Sequence, residues 1–117
     1  MDGRIIILRE RVLRNLQQNW TVKDLAESMD LSEPHLQKIF RDAVGMPPIT
    51  YIQHLRFEKA KELLKDRDFL RIQEICQEVG INDQSHFTRD FKKKYGTTPT
   101  QYRKDFWSNY AAKTKNG

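Results

Sequence analysis

The chain has 117 residues, of which 38% are hydrophobic and 32% are charged. This composition is more polar than average, yet it retains enough apolar residues to form a core, which excludes a disordered tail. The sole cysteine, Cys76, excludes internal disulfides and a cysteine-based zinc site. The longest aliphatic run, at residues 5–8, is far shorter than the roughly 20 residues of a membrane span. We therefore expect a soluble, cytoplasmic chain with no membrane segment.

The positive charge is concentrated in the second part of the chain. Residues 1–45 contain seven basic and seven acidic residues, whereas residues 46–117 contain fourteen basic and nine acidic residues and so carry the whole net charge of +5. Such a balance favours a polyanionic partner, either a nucleic acid or an acidic membrane surface. No predicted helix combines a wide basic face with large exposed apolar groups, so the membrane surface is the weaker alternative.

Apolar residues at helical spacing predict two helices in the first 30 residues. The first helix is expected to end near Asn19, and its apolar stripe steps by three or four residues: Ile5, Leu8, Val12, Leu16 and Trp20. A short second helix follows Thr21, which forms a near capping box with Asp24, and it ends by Asp30.

Two further helices follow, separated by a glycine and a pair of prolines. Ser32 is the expected N-cap of a third helix over residues 33–43, which Gly45 terminates. Four residues of this helix are expected to face the core: Leu36, Ile39, Phe40 and Ala43. Pro48 then opens a longer helix that is expected to continue to about Lys65.

The second half of the chain repeats the first. After a break at residues 67–69, an apolar pattern returns at an offset of 50: Val22, Leu25, Ala26 and Met29 match Ile72, Ile75, Cys76 and Val79. One extra residue in the following turn changes the offset to 51, and further pairs match: Ser32 with Asp83, Leu36 with Phe87, Phe40 with Phe91, Gly45 with Gly96, Pro48 with Pro99 and Tyr51 with Tyr102. The agreement of core residues, caps and stops predicts two copies of one supersecondary unit.

Each copy consists of a short helix, a tight turn and a second helix with a polar outer face, which is the pattern of a helix-turn-helix. In that motif the first helix supports the second, whose N-terminal side chains enter the roughly 12 Å wide major groove of DNA and contact base edges. An ordinary all-α bundle with a solvated outer face has the same apolar periodicity. A helical protein-binding module, whose net charge is incidental, therefore stays open as the alternative.

Two stretches of the sequence carry a family resemblance that extends from about Ile5 to Phe106. They are LAESMDLSEPHLQKIFRDAVGMPPITYIQHLRFEKAKELL in the first half and IQEICQEVGINDQSHFTRDFKKKYGTTPTQYRK in the second. The chain resembles the DNA-binding domain of the AraC/XylS family of bacterial transcription regulators. Three residues depart from the family's pattern: Ile81 stands where the family usually has Phe, His86 where it often has Tyr, and Cys76 where it often has Ala.

The resemblance implies an all-α fold of about seven helices, in which two tandem helix-turn-helix subdomains are joined by a long linker helix. The expected divisions are residues 1–47, the linker helix at residues 48–66 and residues 67–117. Two recognition helices are expected to enter successive major-groove segments of double-stranded DNA. The resemblance further implies transcriptional activation, contact with RNA polymerase and homodimerisation through a region outside this chain.

The first recognition helix is expected at residues 33–43, with five outward-facing residues: Pro34, His35, Gln37, Lys38 and Arg41. Gln37 and Lys38 are the predicted base contacts, because glutamine pairs with adenine and lysine donates to guanine. Arg41 lies one turn further on and is expected to bind a phosphate. Alternatively, Lys38 and Arg41 form surface ion pairs with Asp42 or Glu33, which would contribute little to stability.

The second recognition helix is expected at residues 84–95, with Phe87 and Phe91 buried and seven polar residues available to DNA: Gln84, Ser85, His86, Thr88, Arg89, Lys92 and Lys93. Arg89 is the predicted principal base contact, because its forked guanidinium suits guanine. The residues before it are expected to contact bases or phosphates. The basic run at residues 92–94 is expected to contact phosphates, with a merely solvated face as the alternative.

The sequence contains no pattern typical of an enzyme. The spacing of His35, His54 and His86 fits no metal motif, and the chain has no glycine-rich phosphate loop. Cys76 lies on an apolar helical face and is expected to be a small core residue. We therefore expect a non-enzymatic protein without a metal or another cofactor.

Overall fold

The computed structural model describes residues 2–66 and 69–116, and of residues 114–116 it describes the backbone alone. Within these residues the chain forms seven helices and no strand: α1 (Gly3–Arg14), α2 (Val22–Ser28), α3 (Glu33–Ala43), α4 (Pro48–Leu64), α5 (Ile72–Val79), α6 (Gln84–Tyr95) and α7 (Pro99–Asn116). This architecture confirms the predicted all-α fold. None of the described helices is both long and apolar enough to span a membrane. Arg67 and Asp68, at the predicted break, lie outside the described residues.

The chain divides into two compact units, Met1–Arg56 and Phe57–Gly117, which we call the first unit and the second unit. In the first unit, α1, α2, α3 and the beginning of α4 surround one core, because each helix contributes one apolar stripe. Side chains with at most 2% exposure come from all four helices: Ile5, Leu8, Val12, Leu25, Ala26, Leu36, Phe40 and Ile52. The rings of Phe40 and Tyr51 pack with their centroids 5.5 Å apart.

In the second unit, the end of α4 together with α5, α6 and α7 surrounds a core that is rich in aromatic side chains. Phe87 and Phe91 of α6 are 1% and 0% exposed, which confirms the burial that the repeat predicts. Phe57 of α4 stacks on Phe87 with 5.5 Å between ring centroids, and Tyr102 of α7 meets Phe91 edge-on at 5.7 Å. These ring contacts determine which face of α6 points away from the core.

Side-chain caps define where the short helices begin. Thr21 Oγ1 accepts from the backbone N–H of Asp24 at 3.0 Å, and the Asp24 carboxylate accepts from the N–H of Thr21 at 3.3 Å, so the capping box before α2 is complete. Ser32 and Asp83 accept from backbone N–H groups in the first turns of α3 and α6 at 3.2 and 3.0 Å. Both predicted recognition helices, α3 and α6, therefore begin where the sequence predicts.

The two copies of the repeat also match at their ends. Gly45 and Gly96 both have left-handed backbone, with φ of 79° and 80°, a conformation that only glycine adopts without strain. Three residues after each glycine a buried proline opens the next helix, Pro48 in α4 and Pro99 in α7. The series α2, α3, α4 therefore corresponds to the series α5, α6, α7.

Two details differ from the sequence prediction. Helix α1 ends at Arg14 rather than near Asn19, because Asn15 leaves helical geometry and its side-chain amide donates to a carbonyl one turn earlier at 3.1 Å. Leu16 is nevertheless buried, so the apolar spacing continues past the end of the helix. Ala43, which was expected to face the core, is exposed, because it lies in the last turn of α3 and lines a groove instead.

Two arginines belong to the fold rather than to an exposed basic surface. Arg56 donates to the backbone carbonyl of Gln18 at 2.9 Å, and Arg103 donates to that of Leu64 at 3.1 Å. Burial lowers the pKa of both guanidinium groups below its ordinary value. Each arginine therefore connects distant segments within its own unit.

Candidate nucleic-acid interface

Helix α6 presents a polar face on the side opposite its buried phenylalanines. Because successive helical residues are rotated by about 100°, side chains three, four and seven residues apart share one face. The residues that the sequence predicts as DNA contacts on α6 are exposed, apart from Thr88, which is half-buried: Gln84, Ser85, His86, Arg89, Lys92 and Lys93. All of the DNA contacts predicted for the second copy therefore lie on α6, and all but Thr88 are exposed.

Arg89 lies in the middle of this face. Its side chain is exposed, and within the described part of the chain it has neither an ion-pair partner nor a hydrogen-bond partner. The same holds for Lys92 and Lys93, which lie one turn further along α6. Three cationic groups on this face are therefore available to an external anion.

Lys94 differs from the two lysines that precede it. Its ammonium group lies 5.3 Å from the ring centroid of Phe57 and 5.7 Å from that of Tyr95. Burial lowers the pKa of Lys94 below its ordinary value. The third lysine of the basic run is exposed but lies over aromatic rings, whereas the sequence predicts that the whole run contacts phosphates.

His86 has a partner that the sequence analysis missed. Its Nε2 lies 2.8 Å from Oδ2 of Asp90, one turn further along α6. Both side chains are substantially exposed, so this contact stands on the surface and adjoins the face that carries Arg89. The spacing of four residues between a histidine and an aspartate on one helix was the signal in the sequence.

Helix α3 presents the corresponding face in the first unit. Leu36, Ile39 and Phe40 are buried and orient the helix. The predicted contacts of this helix are all exposed: Pro34, His35, Gln37, Lys38 and Arg41. Arg41 lies 3.9 Å from Asp42, at the outer limit of an ion pair, and both side chains are mostly exposed. Such a pair contributes little and does not prevent Arg41 from turning to a phosphate.

A groove of about 350 Å³ adjoins this face and was not predicted. Its walls bring the start of α1 beside α3, so that Arg4 and Asp2 lie near His35 and Lys38. Arg4 and Asp2 form an ion pair of 3.0 Å, and this contact lowers the pKa of the Asp2 carboxyl. Sequence spacing gave no signal for this groove, because its two walls are about 30 residues apart in the chain.

The two predicted recognition helices, α3 and α6, differ in charge. Helix α3 carries two basic and two acidic residues, whereas α6 carries four basic residues and one acidic residue. At the offset of 51, Asp42 of α3 corresponds to Lys93 of α6. The attraction for a polyanion is therefore stronger at α6 than at α3.

The described residues include no cluster of three or more His, Cys, Asp or Glu side chains that could hold a metal ion. Cys76 is 3% exposed in the core of the second unit, as the sequence predicts. Burial raises the pKa of its thiol, which disfavours the reactive thiolate.

Comparisons with known proteins agree with this architecture. A family model described as a helix-turn-helix domain matches residues 25–105. The transcriptional regulator MtrA of Neisseria gonorrhoeae is 29% identical over 104 residues, which are 89% of this chain and 34% of that protein. The chain spans about a third of the length of the curated relatives that it matches in this way.

Two solved structures have the same fold. The C-terminal domain of the two-component response regulator yesN from Fusobacterium nucleatum is 34% identical, with a TM-score of 0.72 over 86% of this chain and 99% of that domain. The DNA-binding domain of the transcriptional factor AdpA, solved in complex with a target DNA, is 22% identical, with a TM-score of 0.79 over 99% of this chain and 100% of that domain. The chain therefore belongs to the helix-turn-helix domain family, as a DNA-binding domain of the AraC/XylS type of bacterial transcription regulator.

Proposed function

We propose that this chain reads specific sequences of double-stranded DNA by inserting α3 and α6 into successive major-groove segments, as part of a cytoplasmic transcription regulator. The observation that carries the proposal is the face of α6 on which Arg89, Lys92 and Lys93 are exposed and have no partner among the described residues, while the opposite face is buried. The similar AdpA DNA-binding domain was solved in complex with a target DNA, which supports the proposal that this chain binds DNA.

On α6, Arg89 is the proposed base contact, because a guanidinium can donate two hydrogen bonds to O6 and N7 of guanine. Lys92 and Lys93 lie further from the N-terminus of the helix, where a recognition helix leaves the groove, and they bind phosphates. Four residues of the first turns complete the contact surface with bases or phosphates: Gln84, Ser85, His86 and Thr88.

On α3, Gln37 and Lys38 are the proposed base contacts, and Arg41 binds a phosphate. Pro34 and His35 lie in the first turn of the helix and pack against the DNA at its edge. Because α3 carries no net charge, its contribution to affinity is smaller than that of α6 and lies mainly in selectivity.

The wider roles are proposals that follow from the family. The regulator activates transcription through contact with RNA polymerase, and it forms homodimers through a region outside this chain. The proposed role of the chain is DNA binding without catalysis, and its sole thiol, that of Cys76, is buried in the core of the second unit.

The salt dependence of duplex binding tests the proposal. Each phosphate contact contributes about −0.9 to the slope of log K against log salt, so Arg41, Lys92 and Lys93 together predict a slope of about −3 or steeper. Fluorescence anisotropy of a labelled duplex measures it. A Lys113→Ala variant, which removes an exposed charge outside both recognition helices, is the matched control and should leave the slope unchanged. A flat salt response would instead favour the helical protein-binding module.

A further inference from the structure

The second copy of the repeat has a carboxylate where the first copy has an apolar side chain. At the offset of 51, His86 corresponds to His35, and Asp90 corresponds to Ile39. Ile39 is buried, whereas Asp90 is half-buried and its Oδ2 lies 2.8 Å from Nε2 of His86. The ring of His35 has no such contact with a carboxylate within the described residues. The histidine of α6 is therefore held by its own helix, and the histidine of α3 is not.

We infer that Asp90 is a positioning residue that determines which bases His86 reads, an inference that rests on the proposed DNA-binding function. A neutral imidazole carries a single N–H, so one of its nitrogens donates a hydrogen bond and the other accepts one. The carboxylate of Asp90, whose Oδ2 lies 2.8 Å from Nε2, can only accept a hydrogen bond, so it favours the tautomer with the proton on Nε2 and leaves Nδ1 as the acceptor.

The free nitrogen of His86 lies where a recognition helix meets bases. His86 is the third residue of α6 and shares a helical face with Arg89 and Lys93, which lie three and seven residues further along the helix. Its Nδ1 has no hydrogen-bond partner within the described residues, and the side chain is 59% exposed. The only hydrogen-bond donors that bases present in the major groove are the exocyclic amines of adenine and cytosine. An acceptor at Nδ1 thus selects adenine or cytosine at one position and disfavours guanine and thymine.

The tautomer of His86 can be measured on the free protein. Nitrogen-15 chemical shifts at alkaline pH, about two units above the pKa of free histidine, distinguish the Nε2–H form from the Nδ1–H form. We expect the Nε2–H form in the wild type and in Asp90→Glu, and a mixture of forms in Asp90→Ile, which introduces the residue type found in the first copy. An Nδ1–H form in the wild type, or an unchanged spectrum in Asp90→Ile, would overturn the inference whether or not the protein binds DNA.

Selection of bound duplexes from a random library, at the same alkaline pH, tests the consequence for recognition. The loss of one hydrogen bond corresponds to about a three- to tenfold change. We expect the wild type to prefer adenine or cytosine by this factor at one position, and Asp90→Ile and His86→Ala each to reduce the preference to within about twofold. Asp90→Glu, which keeps the carboxylate, should retain the wild-type preference. The charge-matched control Asp105→Asn, on α7, should retain it.

The double variant separates action through His86 from direct contact with DNA. In the His86→Ala background, Asp90→Ile should cause no further change in base preference, because the ring that it positions is absent. A further change there, or a wild-type preference that survives in Asp90→Ile, would overturn the positioning role. If the wild type enriched no duplex at all, the proposed function would fail, and the inference would fail with it.

Discussion

The local environment of each basic residue determines whether its side chain can bind an external anion, and residues adjacent in the sequence differ in this respect. Arg103 and Arg56 are partly desolvated and donate to backbone carbonyls of their own units. Lys94 and Lys93 are both exposed, but Lys94 lies over aromatic rings, whereas Lys93 has no partner among the described residues. Helical periodicity predicted the exposed face of α6, because that face is opposite two buried phenylalanines. It could not predict contacts across 38 or 39 residues, since local spacing carries no information about them.

The first prediction separates specificity from affinity on α6. Arg89→Ala should cost about 1 to 3 kcal/mol on the preferred site and relax discrimination at one or two base pairs, because the guanidinium donates to a base edge. Lys93→Ala should weaken binding to all duplexes alike and make the salt slope shallower by about one unit, because it removes a phosphate contact. Anisotropy titrations with preferred and mismatched duplexes measure both effects. If Arg89→Ala left affinity and preference intact, α6 would not be a recognition helix.

The second prediction concerns alkaline pH. The hydroxyl of Tyr95 donates to Oε1 of Glu58 at 3.0 Å. Burial is the larger cause and this hydrogen bond the smaller cause that raise the pKa of Tyr95 above the ordinary value of 10.0. The folded state binds this proton more tightly than the unfolded state. The resulting stabilisation is therefore fully present below pH 10 and is lost as the pH rises through the folded-state pKa.

Ultraviolet titration of phenolate formation tests this prediction. The difference between the wild type and Tyr95→Phe isolates the Tyr95 phenol, and its midpoint should lie above the ordinary value of 10.0. In denaturant unfolding, the difference in free energy of unfolding between the wild type and Tyr95→Phe should decrease as the pH rises above the ordinary value of 10.0. A midpoint at or below the ordinary value would mean that Tyr95 is neither buried nor hydrogen-bonded to Glu58 in solution.

At the scale of elements, the repeat could be predicted from the sequence because the caps and stops of its helices depend on residues close together in the chain. Ser32 and Asp83 cap α3 and α6, and Gly45 and Gly96 end them with left-handed backbone, so sequence alone located both recognition helices. The end of α1 was misplaced because Leu16 continues the apolar stripe after the helix has ended. Burial in a turn gives the same spacing as burial in a helix, and the two cannot be separated by periodicity.

The third prediction tests the packing that orients α6. Phe87→Ala or Phe91→Ala should destabilise the protein by about 3 to 5 kcal/mol, because each removes a fully buried ring from the aromatic core of the second unit. Chemical denaturation monitored by circular dichroism measures the loss. A Tyr110→Ala variant, which truncates an aromatic ring that is 40% exposed, is the control and should cost much less. An unchanged denaturation midpoint in both phenylalanine variants would show that these rings do not hold α6 in place.

At the scale of the whole molecule, each unit contains one complete helix-turn-helix with its own core, and α4 contributes residues to both cores. The sequence predicted this duplication from the matching pairs, and it predicted α4 as one continuous helix, which extends from Pro48 to Leu64. The groove between α1 and α3 was not predictable, because it depends on how separate helices pack. The division into residues 1–47, 48–66 and 67–117 stays a prediction.

The most direct test of the central claim is selection of bound sites from a random duplex library by the wild type, by the double variant Gln37→Ala and Lys38→Ala, and by Arg89→Ala. If α3 and α6 each read their own major-groove segment, the wild type should enrich one site with two separate blocks of preferred bases. The double variant on α3 should lose the preference in one block, and Arg89→Ala should lose it in the other, while each retains the remaining block. No enrichment by the wild type, or loss of the same block in both variants, would contradict the account.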